Sequence, residues 1–421
     1  MVSSGRRVRL SLMVATMKFR NSCSPLYAKG RIAVVICVLV VMLATLSGCG
    51  VKRYGLPVDA EGEVKVMDFE AIRYYGDTAP ENLKDSLERW YERYSKATHG
   101  KKITMLSLSG GGANGAFGAG FLVGWTSTMT RPQFDMVTGV STGALFAPFA
   151  FLGPGYDAVI KLLYTSYSTD MLVERRSIGY ALSGDSIYST RLMRQVMETF
   201  YSDKLIDAIA EEHRKGRMLI IGTTNLDEMR PVYWDIGAIA EYGTPEAYQL
   251  VRDVILASAA IPVAFPPVYI KVRNNGYEYD EMHVDGGVTN QVFSYPPSIR
   301  LRDELKKMGE ERDVELYVIR NDALRSKRTI VAPRIADIAS RSLMGLIRNQ
   351  GIGDLYRIYY TAKRDDVSFH LAVIPPQVDQ KSDEMFSPEY MKKLFEIGRS
   401  KAMGEKPWLK DLPHDLMRGA F

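Results

Sequence analysis

Phe134-Asp135-Met136-Val137-Thr138-Gly139-Val140-Ser141-Thr142-Gly143-Ala144-Leu145-Phe146-Ala147 joins a strand-like run to a helix-like run through a glycine-flanked serine. A serine between glycines on a strand-to-helix turn has the pattern of a nucleophile elbow, where side chains beside the serine would crowd the chain. The pattern alone is weak, because a chain of 421 residues with 35 glycines produces it by chance. Two further glycine clusters give it weight: Ser109-Gly110-Gly111-Gly112 about thirty residues upstream, and Asp285-Gly286-Gly287 far downstream.

Upstream, Ile103 to Leu108 reads as a buried strand, and Ala116 to Val123 as a helix rich in small residues. The loop between them, Ser109-Gly110-Gly111-Gly112-Ala113-Asn114-Gly115, contains a G-x-G-x-x-G pattern with Asp135 twenty residues on. A dinucleotide site would place that acid at the far end of the next strand, whereas Asp135 stands at its start. No Lys-Ser/Thr pair follows the glycines, which excludes a Walker loop. The remaining use of such a loop is an oxyanion hole, since consecutive glycines let N–H groups converge at a helix N-terminus.

The elbow serine needs a base. The five histidines are His99, His213, His283, His370 and His414. Chain order makes His370 the best candidate for a triad, because α/β-hydrolases place the histidine last. Asp285, after the strand-like Glu281 to Val284, offers a carboxylate that accepts the serine proton directly. Both readings stand on the residues alone.

Taken together, Ser109-Gly110-Gly111-Gly112-x-x-Gly115, Gly139-x-Ser141-x-Gly143 and Asp285-Gly286-Gly287 resemble the three ordered motifs of patatin-like phospholipases. The stretch Ala257 to Val268, Asn290 and the pair Pro296-Pro297 are similar to that family's intervening and following segments, so the resemblance covers roughly residues 100–300. It implies an α/β fold: three α/β/α layers around a mostly parallel central sheet. It also implies a Ser-Asp dyad without histidine, Ser141 as nucleophile, Asp285 as base, and Gly110, Gly111 and Gly112 as the oxyanion loop. Gly115, Gly139, Gly143, Gly286 and Gly287 complete the motifs. The implied reaction is hydrolysis of fatty-acyl esters of phospholipids or lysophospholipids through an acyl-enzyme, with no metal, no cofactor and no nucleic-acid partner. A general carboxylesterase or thioesterase, or an inactive lipid-binding envelope lipoprotein, are the alternatives on the same fold. One departure is Asn114, where many members carry Arg or Lys.

Residues 1–48 hold seven Lys or Arg and no acid, and Ile32 to Leu46 is apolar for fifteen residues. A spanning helix needs about 20, so the run suits a signal-peptide core. Leu46-Ser47-Gly48-Cys49 resembles the lipobox of bacterial lipoproteins, with Cys49 as the lipidated residue; a plain membrane anchor is the other reading. Met17 is a possible start, and Gly50 after the cysteine points by the same resemblance to the outer membrane. Removing the leader leaves 47 basic against 49 acidic residues, so the net charge of +5 carries no argument for nucleic acid. Cys23, Cys37 and Cys49 are the only cysteines, so the part after Cys49 has no thiol for a disulfide, nucleophile or metal site. The expected organisation is a leader (1–48), a tether and N-terminal helix (49–99), a catalytic core (100–300) and the rest of the same domain (301–421).

Leu83, Leu87, Trp90, Tyr91 and Tyr94 fall on one helical face after Thr78-Ala79-Pro80-Glu81. Gly216 to Asn225 and Val314 to Arg320 read as strands, and Tyr188–Phe200 and Asp203–Lys215 as helices, an alternation that argues for a sheet covered on both faces. Arg334 to Arg348 reads as an amphipathic helix packed on the core, with contact to a membrane surface as the second reading.

Overall fold

The short apolar runs pair into a nine-stranded mixed sheet in the computed structural model, which describes residues 53–78, 83–97, 102–177, 179–180, 184–325, 328–378 and 384–413. The leader, Cys49, Ala79-Pro80-Glu81, His99 and His414 lie outside these residues. The strands are β1 (Arg73–Tyr75), β2 (Ile103–Leu108), β3 (Met136–Val140), β4 (Met218–Asn225), β5 (Arg230–Asp235), β6 (Val268–Asn274), β7 (Tyr277–Asp285), β8 (Val314–Arg320) and β9 (Ser368–Val373). Their order is β1-β5-β4-β3-β2-β8-β9. The run from β4 to β9 is parallel throughout, while β5 and β1 are antiparallel.

Alternation along the parallel strands builds two apolar layers. On β2, Ile103 and Met105 join a cluster with Tyr94, Leu316, Leu355 and Ile358. Leu106 and Leu108 join a separate cluster with Phe117, Phe121, Phe146 and Phe395. The first face is therefore covered by α1 (Leu83–Lys96) and the C-terminal half of the long helix Ile335–Arg364. The second is covered by α2 (Gly115–Ser127), α3 (Thr142–Leu152) and the C-terminal helix Pro388–Ala402. The result is a three-layer α/β/α architecture.

Four local expectations change. The tether expected ahead of the N-terminal helix within 49–99 is instead packed: Val66, Phe69 and Ile72 are buried, and Arg73–Tyr75 pairs with β5. Tyr188–Phe200 is a helix only from Arg191, because Tyr188–Ser189 forms a short antiparallel ribbon with Glu174–Arg175. The elbow strand is shifted to Met136–Val140, because the Asp135 carboxylate accepts the Thr104 N–H at 2.7 Å. Finally, the long helix is held against the rest of the protein only from Arg348 onward, while Ile335, Ile338, Leu343 and Leu346 are exposed. Among the described residues no helix is long and apolar enough to cross a membrane.

Candidate active site

The register of β4 brings two distant motifs together. Met218 to Gly222 pair in parallel with β3, whose last residue, Val140, lies opposite Gly222. Beyond that point β3 has ended, and Thr223 to Asn225 pair antiparallel with the end of β7, Asp285 opposite Thr223. Ser141 follows Val140 and Asp285 closes β7, so both stand at the same gap along the carboxyl edge of the sheet. Ser141 Oγ donates to Asp285 Oδ2 at 2.6 Å. The other carboxylate oxygen accepts the Gly287 N–H at 2.7 Å, fixing the plane of the group.

Ser141 adopts φ 53°, ψ −125°, a conformation that costs a non-glycine residue about 1–3 kcal/mol and is found where the surroundings over-determine it. Here the Ser141 N–H donates to Ser258 Oγ at 2.9 Å, and that hydroxyl donates to the Gly222 carbonyl at 2.6 Å. Gly143 lets the first turn of α3 press against the Leu108 carbonyl, where any Cβ would collide. Gly139 and Gly115 make similar close contacts with Ala144 and Thr142, and Gly286 lies against the Gly222 carbonyl.

The glycine loop lies directly beside this serine: a Cβ on Gly110 would come within 3.2 Å of the Ser141 Cβ. Gly111, at φ +154° with the Asn321 carbonyl packed against it, can only be glycine. The Gly110 N–H donates to the Gln291 carbonyl at 2.9 Å, so it is not available as an oxyanion donor as expected from the sequence. Gly111 and Gly112 show no acceptor for their N–H groups among the described residues. Asn321, fully buried after β8, holds the loop in place. It donates from Nδ2 to the Ser109 carbonyl at 2.8 Å and from its N–H to Ser109 Oγ at 2.8 Å, and its Oδ1 accepts the Gly118 N–H at 3.0 Å. Asn114 Oδ1 accepts from Tyr390 OH at 2.6 Å.

Burial dominates the electrostatics. It pushes the Asp285 carboxyl up to about 6, against the opposing pull of the hydrogen bonds from Ser141 and Gly287. A carboxylate of that basicity is better matched to accept a proton near neutral pH than an ordinary aspartate.

The described histidines are placed elsewhere. His370 pairs in register with Tyr317 on β8, which puts it three strands from β3 and level with Val137. At about 4.8 Å per strand it lies roughly 14 Å to the side of β3, out of reach of Ser141; it stacks on Tyr317 at 4.5 Å. His283 bonds Glu281 and Thr223 at 3.0 Å each, and His213 is buried on the helix Asp203–Arg214. Among the described residues no cluster of three or more His, Cys, Asp or Glu is placed to hold a metal ion.

Ser258, Gln291 and Asn321 were not singled out from the sequence. Ser258 lay inside the quoted stretch Ala257–Val268, but nothing local separates a serine that bonds the elbow N–H from any other.

A serine bonded to a buried carboxylate thus stands at the carboxyl edge of the parallel sheet of an α/β protein, beside a glycine loop. Residues 106–293 match the family model described as patatin-like phospholipase. It is 24% identical over 234 residues to a cGAMP-activated phospholipase of Escherichia coli (strain TW11681), covering 52% of this chain and 61% of that protein. It is 27% identical over 207 residues to probable inactive patatin-3-Kuras 1 of Solanum tuberosum, covering 46% and 53%. The chain thus spans about half to three-fifths of the length of these curated relatives. The solved structure of VipD from Legionella pneumophila aligns over 72% of this chain and 66% of that one, at 14% identity and a TM-score of 0.37.

Proposed function

We propose that the protein is a serine acyl hydrolase of the phospholipase or lysophospholipase type, working through a Ser141–Asp285 dyad. The 2.6 Å hydrogen bond from Ser141 Oγ to Asp285 is the observation that carries the reading. Ser141 Oγ attacks the ester carbonyl carbon while Asp285 Oδ2 takes its proton. The oxygen of the tetrahedral intermediate accepts from the Gly111 and Gly112 N–H groups, an interaction worth about 100- to 1,000-fold in rate per donor. Collapse breaks the C–O bond, and Asp285 returns the proton to the departing alkoxide. Water then attacks the acyl-enzyme, Asp285 accepts its proton, and release of the fatty acid restores Ser141. Cys49, as the lipidated residue of an exported lipoprotein at the outer membrane, would hold this chemistry at its substrate.

Asp285 must be ionised to act, so turnover falls about ten-fold per pH unit below its value of about 6 and is flat above it. A pH profile of kcat/KM on a soluble acyl ester checks this, and a limb near 4 would contradict it. The reading itself is tested by mass analysis of the products released by the purified protein from mixed phospholipids. Free fatty acid with the matching lysophospholipid or glycerophosphodiester is expected, and intact lipids alone would overturn it.

A further inference from the structure

The long helix Ile335–Arg364 changes character near its middle. From Arg348 onward it is tied to the site's own loops. Arg348 donates to the Ala323 carbonyl after β8 at 2.7 Å, and Gln350 donates to the Thr289 carbonyl at 2.7 Å. Asp354 accepts the Gln291 N–H at 2.6 Å, and the Gln291 carbonyl in turn takes the Gly110 N–H. The helix ends at Arg364, just before β9 begins at the amino edge of the sheet, so residues before Arg348 continue past the carboxyl edge where Ser141 stands. Thirteen residues at a helical rise of about 1.5 Å carry it roughly 20 Å further.

Among the described residues nothing covers that projecting half. Ile335 is 89% exposed, Ile338 52%, Leu343 53% and Leu346 69%. Their spacing, with Ile347, is i, i+3, i+8, i+11 and i+12, a single apolar stripe. Arg334 and Arg341 lie seven residues apart on the other side, and Arg348, next in the series, is ion-paired with Asp322 at 3.3 Å. Residues 328–347 hold three Arg and one Asp, in a chain that is net acidic after residue 48. A row of exposed aliphatic side chains of this size marks an interaction surface rather than ordinary exposure.

We propose that this stripe docks onto an anionic lipid bilayer and so presents the membrane to Ser141. The charge decides between occupants. A second copy would set a segment of net +2 against an identical segment, whereas anionic head groups complement this charge as acyl chains receive the aliphatic side chains. The proposal rests on the hydrolase reading only for its purpose, not for its geometry.

The test compares the full chain with the variant Ile335→Ser/Ile338→Ser/Leu346→Ser; residues 1–49 are common to both, so only the difference is read. Co-sedimentation uses vesicles of phosphatidylglycerol with phosphatidylethanolamine, and vesicles of phosphatidylcholine alone. Binding to the anionic vesicles and hydrolysis of their lipids are expected to drop about ten-fold or more in the variant, with turnover of a soluble short-chain ester unchanged. Arg334→Gln/Arg341→Gln is expected to lose the preference for anionic over phosphatidylcholine vesicles. Equal binding and equal vesicle hydrolysis by wild type and triple variant would overturn the docking surface and leave the hydrolase reading standing. Stripe-dependent binding by a protein that cleaves no ester would uphold docking and remove that reading. A wild-type dimer that the triple substitution splits, with vesicle binding unaltered, would overturn docking in favour of a second copy.

Discussion

Asp285→Asn gives a folded protein whose ester turnover is lower by about 100- to 10,000-fold, the range lost with a general base. The amide keeps the size of the carboxyl and can still bond both Ser141 Oγ and the Gly287 N–H, so the elbow is undisturbed. What it cannot do is accept a proton. The same substitution raises stability at alkaline pH. Burial holds the folded Asp285 at about 6, above an ordinary carboxylate, so the stability associated with its neutral form is present at low pH and lost as pH rises through 6. A displacement of roughly two pH units corresponds to about 3 kcal/mol, and removing the charge recovers about 1–3 kcal/mol of it above pH 7. Thermal melts at pH 8 and pH 5 check this. The variant melts higher than wild type at pH 8, and the gap narrows to about half at pH 5, midway between the ordinary aspartate value and 6. A variant that melted below wild type at pH 8 would mean that the carboxylate is structural rather than catalytic.

The second large effect concerns stability. Arg73→Ala lowers it by about 3–5 kcal/mol at pH 7, because it strands Glu281 in the interior without its main counter-ion. Arg73 Nη2 donates to Glu281 Oε1 at 2.9 Å and Nη1 bonds Oε2, with the Glu281 side chain 3% exposed. Burial raises the Glu281 carboxyl, but Arg73 and His283 outweigh it and hold the group at about 2. The stability this pair contributes is therefore present above the ordinary glutamate range and lost as pH falls toward 2. The defect in Arg73→Ala shrinks in acid as Glu281 takes a proton. Adding Glu281→Gln recovers part of it at pH 7, since the buried charge is gone. Urea unfolding of the single and double variants at pH 7 gives the measurement, and simple addition of the two losses would contradict the coupling. The pair also rivets the N-terminal strand β1 to the β7 strand that delivers Asp285.

Local chemistry explains which elements were legible in the sequence. Val314–Arg320 was read with its observed bounds because a strand buried between two layers is apolar nearly throughout. The elbow and the glycine loop were legible because their turns demand glycine. The hairpin β6–β7 carries a local signal in the sequence: Asn275-Gly276 at φ 50° and 83° forms the two-residue turn that strand twist favours. Thr244 ahead of Pro245-Glu246 likewise marks the start of the helix Pro245–Ser258 through its cap to the Ala247 N–H. Other features had no local signature. Arg73–Tyr75 is three residues long and is a strand only because β5 offers it an edge. The choice between Asp285 and His370 depends on the sheet order, which puts one residue across from Thr223 and the other three strands away. The occupied Gly110 N–H depends on Gln291, far along the chain. The projecting half of the long helix has the apolar periodicity of a packed helix, and only its position past the sheet edge leaves that face exposed among the described residues.

Labelling with a fluorophosphonate probe, followed by mass analysis of the modified peptide, tests the central claim most directly. The account predicts a single adduct on Ser141 in the wild type and none in Ser141→Ala. It also predicts labelling slowed about 100-fold or more in Asp285→Asn and unchanged in His370→Ala. An adduct elsewhere, or labelling that survives in Asp285→Asn and is lost in His370→Ala, would contradict it.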